Sequence, residues 1–197
     1  MTILDVCAYI GLAAVGTATV NMLLGLLIAL RYSPVRLWPH RRINIFRLHN
    51  WTAYLVLLLI VLHPAVLLLR RSTHFGLADV LLPIQSPVQP KLNTVGAASF
   101  YVLLIVIFTS VFRLRMARPL WRKLHYLVFP AFALMFIHSV FTDPALSNGK
   151  VDFLDGGKMF VEICSGISIA TWANRIRLRG RGFRPQRLDE RVERVRL

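Results

Sequence analysis

Four of the six histidines in this chain lie inside long apolar stretches, an unusual place for an ionisable side chain. They are His49, His63, His125 and His138. An imidazole at membrane depth costs free energy unless it is hydrogen bonded, paired or bound to a metal. Ordinary packing, or a hydrogen bond to a neighbouring helix, would explain any one of them. Four histidines in two similarly spaced pairs are harder to explain in this way, so we treat them as candidate ligands.

The spacing of these histidines indicates two sites at two depths. His49 and His63 are fourteen residues apart, and His125 and His138 are thirteen apart. If the two stretches are helices that run in the same direction, His49 and His125 lie at one depth, and the other two lie about 20 Å further along at about 1.5 Å per residue. The pattern therefore predicts two metal centres stacked across a membrane.

One angle does not fit an ideal helix. At about 100° per residue, fourteen residues return His63 to within about 40° of His49, but thirteen residues leave His138 about 140° from His125. Pro130 lies between the last two and lacks the N–H group that a helix interior uses. A kink or local unwinding near Pro130 would bring His125 and His138 toward the same face.

Two imidazoles per site favour haem over a bare metal ion. Zinc takes a tetrahedral shell, which two histidines leave half empty. Haem supplies four equatorial nitrogens and needs only two axial ligands, and bis-imidazole ligation favours electron transfer over O₂ binding because no iron position is open. Aromatic residues near the histidines suit a flat porphyrin, although membrane packing explains most of them: Phe46, Trp51, Trp121, Tyr126, Phe129, Phe132 and Phe136.

The composition is that of a membrane protein with basic loops. Of the 197 residues, 56% are hydrophobic and 17% are charged, yet the formal net charge is +15. A soluble domain of this length carries more charge, whereas apolar spans separated by basic loops explain the hydrophobicity and the basicity together. We therefore expect a lipid bilayer, and no nucleic acid, as a partner of this chain.

Five windows are long and apolar enough to cross a bilayer as helices, which need about 20 residues each. Five basic residues lie in 31–47, five in 113–123 and nine from Arg175 onward, which makes 19 of the 24 on one side. The positive-inside rule makes that side cytoplasmic, with the N-terminus outside and the C-terminus inside. We predict an all-α integral membrane bundle of about five helices, near residues 6–30, 48–69, 95–112, 120–141 and 157–174.

Two segments resemble the ferric reductase-like transmembrane domain, a family that includes NADPH oxidases, ferric reductases and the haem subunit of the bacterial methionine sulfoxide reductase system. They are RLHNWTAYLVLLLIVLHP and WRKLHYLVFPAFALMFIHSVF, and the resemblance covers roughly residues 10–175. It implies an inner haem on His49 and His125 and an outer haem on His63 and His138. We accordingly divide the chain into a haem-binding transmembrane domain, 1–175, and a basic cytoplasmic tail, 176–197.

The chain departs from that family in two respects. The shared core usually has six helices with the haem ligands on the third and fifth, whereas here the ligands fall on the second and fourth. Many members carry a cytoplasmic flavin and nicotinamide domain, but residues 176–197 are too few for a dinucleotide fold, and the chain has no GxGxxG motif. The resemblance therefore implies a separate electron donor, either a flavoprotein with FMN or FAD or a membrane quinol.

Several polar residues could support the two sites. Arg122 is the candidate to bind a propionate of the inner haem, whereas positive-inside topology alone explains most of the other basic residues there, Arg41, Arg42, Arg47 and Lys123. The corresponding outer residues are Arg70, Arg71 and His74.

Three further residues have a simple structural explanation. Glu162 fits contact with lipid headgroups better than a proton gate or a quinol site. Cys7 and Cys164 fit apolar packing better than a disulfide, since there is no CxxC or zinc spacing.

These features predict a b-type di-haem cytochrome of the plasma or inner membrane. It would pass electrons from a cytoplasmic donor to an outer acceptor, as the electron-transfer component of an oxidoreductase. A first alternative keeps the redox role but replaces one haem by another cofactor such as a flavin, or takes electrons from quinol. A second alternative, of a different class, is a transporter or assembly factor whose histidines move protons or metal ions.

Overall fold

The computed structural model describes residues 2–29, 44–70, 75–143, 145–146, 149–150 and 152–180. Within these residues the regular structure is entirely helical. The α-helices are α1 (Ile3–Ala29), α2 (Ile45–Ala65), α3 (Leu77–Leu81), α4 (Pro90–Val111), α5 (Arg118–His125), α6 (Val128–Phe141) and α7 (Gly156–Gly180). Short 3₁₀ turns follow α2 at Val66–Leu69, α3 at Pro83–Gln85 and α4 at Arg113–Arg115.

Four helical segments in the described ranges are long and apolar enough to cross a membrane. They are α1, α2 with its following turn (Ile45–Leu69), α4, and α5 with α6 (Arg118–Phe141). The fifth predicted window is also helical, as α7, but its polar residues Lys158, Glu162 and Asn174 leave it below that apolarity. The chain is therefore a multi-pass membrane protein, and its described part is helical with four candidate spans.

The start of α4 lies earlier in the chain than the hydropathy pattern predicts. The helix begins at Pro90 rather than near residue 95. Proline suits the first position of a helix because the N–H group that it lacks would have no partner there. Lys91 and Asn93 make this first turn polar, which hides the start of the helix from a hydropathy window.

The fourth predicted span is interrupted between its two histidines. Residues 126 and 127 form a turn that separates α5 from α6. The N–H of Leu127 donates to the carbonyl of Leu124 at 3.0 Å, and the N–H of Phe129 donates to Tyr126 at 3.2 Å, which are 3₁₀-type bonds. Pro130 has no N–H to offer Tyr126, so the chain tightens just before it. A tighter turn rotates the following residues further, in the direction needed to align His138 with His125.

The helices pack as two extensive pairs that meet at a shared core. The helix α1 packs along α2, α4 packs along α6, and α7 lies against α1 and α6. The buried core contains Val15 and Ala18 of α1, Val56 of α2, Phe132, Met135 and Phe136 of α6, and Val161 and Cys164 of α7. This core lies between the two histidine levels, because residue 56 is midway between 49 and 63, and residues 132–136 lie between 125 and 138.

The segment around Phe75 to Leu82, which connects α2 to α4, contains the short helix α3. The hydroxyl of Tyr101 on α4 donates to the carbonyl of Leu81 at 2.6 Å, which ties this segment to the bundle.

At the other end of the chain α7 continues to Gly180, beyond the domain boundary expected at 175. Several residues considered in the sequence analysis lie outside the described ranges: Arg41, Arg42, Arg71, His74 and the tail from 181 onward.

Candidate functional site

The four intramembrane histidines meet in two pairs across the bundle. The ring centres of His49 on α2 and His125 on α5 are 6.4 Å apart, with an interplanar angle of 70°. The ring centres of His63 on α2 and His138 on α6 are 6.2 Å apart, at 82°. We refer to these as the His49–His125 pair and the His63–His138 pair.

In three of these histidines the Nδ1 atom is hydrogen bonded to a backbone carbonyl of a neighbouring helix. His63 contacts the carbonyl of Cys7 at 2.9 Å, His49 that of Asn21 at 3.1 Å, and His138 that of Leu92 at 2.8 Å. A carbonyl oxygen only accepts, so Nδ1 carries the proton and donates. The lone pair of each ring is then on Nε2, as in a metal-bound histidine whose other nitrogen is held by an outer partner.

The fourth histidine makes the corresponding contact through a hydroxyl group. Nδ1 of His125 lies 3.3 Å from Oγ of Ser110, and that hydroxyl donates to the carbonyl of Val106 at 2.7 Å. Because the single hydroxyl proton is directed to Val106, the serine oxygen accepts from His125. The protonated nitrogen is therefore Nδ1 in this ring also.

A glycine stands one helical turn after each of the three carbonyl acceptors. Gly11 follows Cys7, Gly25 follows Asn21, and Gly96 follows Leu92, each by four residues. A Cβ atom on Gly11 would lie 3.0 Å from His63, one on Gly25 would lie 3.4 Å from His49, and one on Gly96 would lie 2.8 Å from His138. Helical side chains tilt toward the N-terminus, so a side chain at position i+4 covers the carbonyl of residue i. The glycines leave these carbonyls open to an imidazole.

The sequence reasoning missed these acceptor positions, although a signal was present. Gly11 and Gly25 are fourteen residues apart on α1, which is the spacing of His49 and His63 on α2. On α4 the two positions are Gly96 and Ser110, again fourteen apart. A repeated spacing on neighbouring helices indicates residues that face one another at the same two levels.

The distance within each pair fits a metal ion bound between the two rings. A linear imidazole–metal–imidazole unit places the ring centres about 6.3 Å apart, from a metal–nitrogen bond of about 2.0 Å and about 1.1 Å from nitrogen to ring centre. The observed 6.4 and 6.2 Å agree with this value. No group of three or more His, Cys, Asp or Glu side chains suited to a bare ion occurs in the described ranges. Two axial ligands per site suit haem, which brings its own equatorial nitrogens.

Four of the aromatic residues near the histidines have three different surroundings. Trp121 stacks on His125, with ring centres 5.3 Å apart and planes at 28°, and its buried Nε1 has no hydrogen-bond partner among the described residues. Phe132 and Phe136 belong to the core between the two levels. Trp51 is 67% exposed and packs on Tyr54.

Several exposed basic residues lie close in sequence to His49 and His125, namely Arg47, Arg122 and Lys123. Arg122 is exposed on α5, one turn before His125. Arg113 stacks over Phe46 at 4.6 Å from the ring centre, which joins the end of α4 to the start of α2. On the other side of the bundle, Arg70 is half-buried at the end of the turn that follows α2.

Both cysteines are free and buried. Cys7 lies against the His63–His138 pair. Its Sγ donates to the carbonyl of His63 at 3.2 Å and lies 3.5 Å from Nδ1 of the same residue. Cys164 belongs to the core with Val15 and Ala18. Glu162 is exposed on α7.

Comparison with known proteins identifies one family. A family model described as "Ferric reductase like transmembrane component" matches residues 15–136, which is more than half of the chain. The match includes His49, His63 and His125 and ends two residues before His138. Neither the curated proteins nor the solved structures give a significant match. The matched region contains α2 and most of its partner helices, and the chain belongs to the ferric reductase-like transmembrane family.

Proposed function

We propose that this protein is a b-type di-haem cytochrome that transfers electrons across the membrane. One haem would be held by His49 and His125 and the other by His63 and His138. The observation that carries the proposal is the geometry of the two pairs. Each has ring centres at the separation of a bis-imidazole metal complex, and all four Nδ1 atoms are bonded to a neighbouring helix.

A haem held by these histidines would supply a one-electron Fe(III)/Fe(II) couple. The protein's part is to fix the ligands. The Nδ1 hydrogen bonds hold each ring in one tautomer and one orientation, which is the usual role of an outer partner of a ligating histidine. The core around Val56 and Phe132 separates the two levels and excludes water between them.

Two residues of α5 support a haem at the His49–His125 pair. The buried Nε1–H of Trp121 would donate to a haem propionate, since a buried donor costs free energy until it finds an acceptor. Arg122, on the exposed side of the same helix, would pair with a propionate near the surface.

The direction of transfer follows from the expected topology. We propose that α7 is a fifth span, so that the N-terminus lies outside and residues 176–197 form a basic cytoplasmic tail. Electrons would then pass from a cytoplasmic flavoprotein with FMN or FAD, or from a membrane quinol, to an acceptor on the outer side of a plasma or inner membrane. The concentration of basic residues at 31–47, 113–123 and beyond Arg175 supports this orientation.

The test is the haem content of the purified full-length chain and of single variants. We expect b-type absorption bands on reduction and two haems per chain. His63→Ala and His138→Ala should each remove the same haem, and His49→Ala and His125→Ala should each remove the other. Glu162→Gln, at an exposed position, serves as the control that keeps both. A colourless protein from haem-sufficient cells would contradict the proposal and favour a role in proton or metal-ion transport.

A further inference from the structure

Ser110 departs from the arrangement at the other three histidines. Nδ1 of His138 also lies 3.2 Å from the hydroxyl of Thr142, but this is in addition to its carbonyl contact. At the other three histidines the ring bonds directly to a backbone carbonyl, and the residue four positions after that carbonyl is a glycine, which leaves room for the ring. At the fourth, the position that corresponds to the glycine is Ser110, and the carbonyl is that of Val106. The His49–His125 pair thus has a hydroxyl in place of one carbonyl partner, although the ring separations of the two pairs are nearly the same.

The serine inserts one oxygen between the ring and the helix. Its Cβ occupies the space that a glycine leaves open, so His125 bonds to the hydroxyl and the hydroxyl bonds to Val106. The Nδ1–Oγ distance of 3.3 Å is longer than the three carbonyl contacts, which span 2.8–3.1 Å. A typical N–H···O bond is about 2.9–3.0 Å long, so the contact of His125 is the weak one of the four.

The strength of this bond affects the iron through the ring. A strong Nδ1–H···O bond pulls the ring toward imidazolate, which makes Nε2 a more basic ligand. A more basic axial ligand stabilises ferric over ferrous iron and lowers the reduction potential. A weak Nδ1–H···O bond leaves Nε2 less basic and therefore raises the reduction potential. Polarisation of the serine by Val106 would strengthen the bond by only about 10–30%, which does not compensate for the longer distance.

We infer that Ser110 raises the reduction potential of the haem at the His49–His125 pair, relative to a site with a direct carbonyl contact. The inference rests on the proposed function, because it needs a haem there. Ser110 would act as a positioning residue: it acts through His125 and does not itself contact the iron.

Two substitutions should move the potential in opposite directions. Ser110→Gly recreates the arrangement of the other three sites, lets His125 approach the carbonyl of Val106, and should lower the potential. Ser110→Ala keeps the Cβ, removes the acceptor and should raise the potential. In both variants the potential of the other haem should stay unchanged. Thr109→Ala is the matched control, because that hydroxyl also bonds to α4 carbonyls, those of Ile105 and Val106.

The measurement is an optical redox titration of the purified full-length protein, with ferric low-spin EPR as an independent report on the basicity of the ligand. Opposite shifts of one midpoint would support the inference. Equal midpoints in wild type, Ser110→Gly and Ser110→Ala, with two haems retained, would overturn it and leave the proposed function intact. If Ser110→Gly does not fold, Ser110→Ala decides: a lowered or unchanged midpoint overturns the inference. A wild-type protein without haem would instead contradict the proposed function itself.

Discussion

Gly96 on α4 and His138 on α6 are in direct contact: a Cβ atom at Gly96 would lie 2.8 Å from Nδ1 of His138 and 2.9 Å from its Cε1. The same ring donates to the carbonyl of Leu92, one turn earlier on α4. The glycine therefore sets how closely the ring can approach its acceptor. The place of His138 depends on a residue of another helix that has no side chain of its own.

We expect Gly96→Ala to remove the haem of the His63–His138 pair and to spare the other haem. A distance of 2.8 Å is too short for a carbon contact, and the backbone of both helices limits how far His138 can retreat. Haem quantification and reduced spectra would measure the loss. Gly166→Ala is the control, since nothing lies within 4 Å of a Cβ at Gly166. Two intact haems in Gly96→Ala would contradict the role given to Gly96.

The two glycines of α1 should show a graded response. A Cβ at Gly11 would lie 3.0 Å from His63, whereas one at Gly25 would lie 3.4 Å from His49, which is an ordinary van der Waals contact. Gly11→Ala should therefore weaken haem retention at its pair, and Gly25→Ala should leave both haems in place. The check is the rate of haem loss to an apo-protein acceptor, and the reverse order would count against a steric explanation.

Trp121→Phe should weaken haem binding at the His49–His125 pair. The substitution preserves an aromatic ring to stack on His125 but removes the buried N–H group. A hydrogen bond to a charged group contributes about 1.5–3 kcal/mol, so haem should dissociate roughly ten- to a hundredfold faster. Trp51→Phe, at a site that is 67% exposed, controls for the loss of an indole group. Equal rates in both variants would exclude the propionate contact.

Phe132→Ala should destabilise the bundle between the two histidine levels. Phe132 is 5% exposed and packs in the core, and a phenylalanine-to-alanine change in a core costs about 3–5 kcal/mol. The melting temperature of the protein in detergent should fall clearly. Phe141→Ala removes the same side chain from a position that is 46% exposed and should have a much smaller effect. Similar losses in the two variants would mean that this core contributes little to stability.

The number of membrane crossings can be tested at the chain ends. If α7 crosses the bilayer with the four candidate spans, reporters fused before Thr2 and after Leu197 should lie on opposite sides of the membrane, with the second in the cytoplasm. Accessibility of each reporter in intact cells is the measurement. Reporters on the same side would show an even number of crossings and would refute the proposed orientation.

The family assignment and the helical membrane fold could be predicted because their signals are carried by side chains. Apolar runs gave four of the spans, and the spaced histidines gave the family. The outer partners of the rings leave only an indirect mark, the glycines at 11, 25 and 96, because the carbonyls of Cys7, Asn21 and Leu92 are main-chain atoms. The place of the break at 126–127 depends on which backbone bonds Pro130 removes, and the outward direction of Trp51 depends on the rotation of α2.

The carbonyl acceptors have a consequence for how this bundle tolerates change. A main-chain oxygen is present whatever amino acid occupies positions 7, 21 and 92, so the three acceptor atoms do not depend on the side chains there. The restriction on amino acid type falls instead on positions one turn further along the chain, and it is strictest at Gly96 and Gly11. Most lipid-facing positions can then accept other apolar residues, while a few small residues beside the histidines keep the four rings in their places.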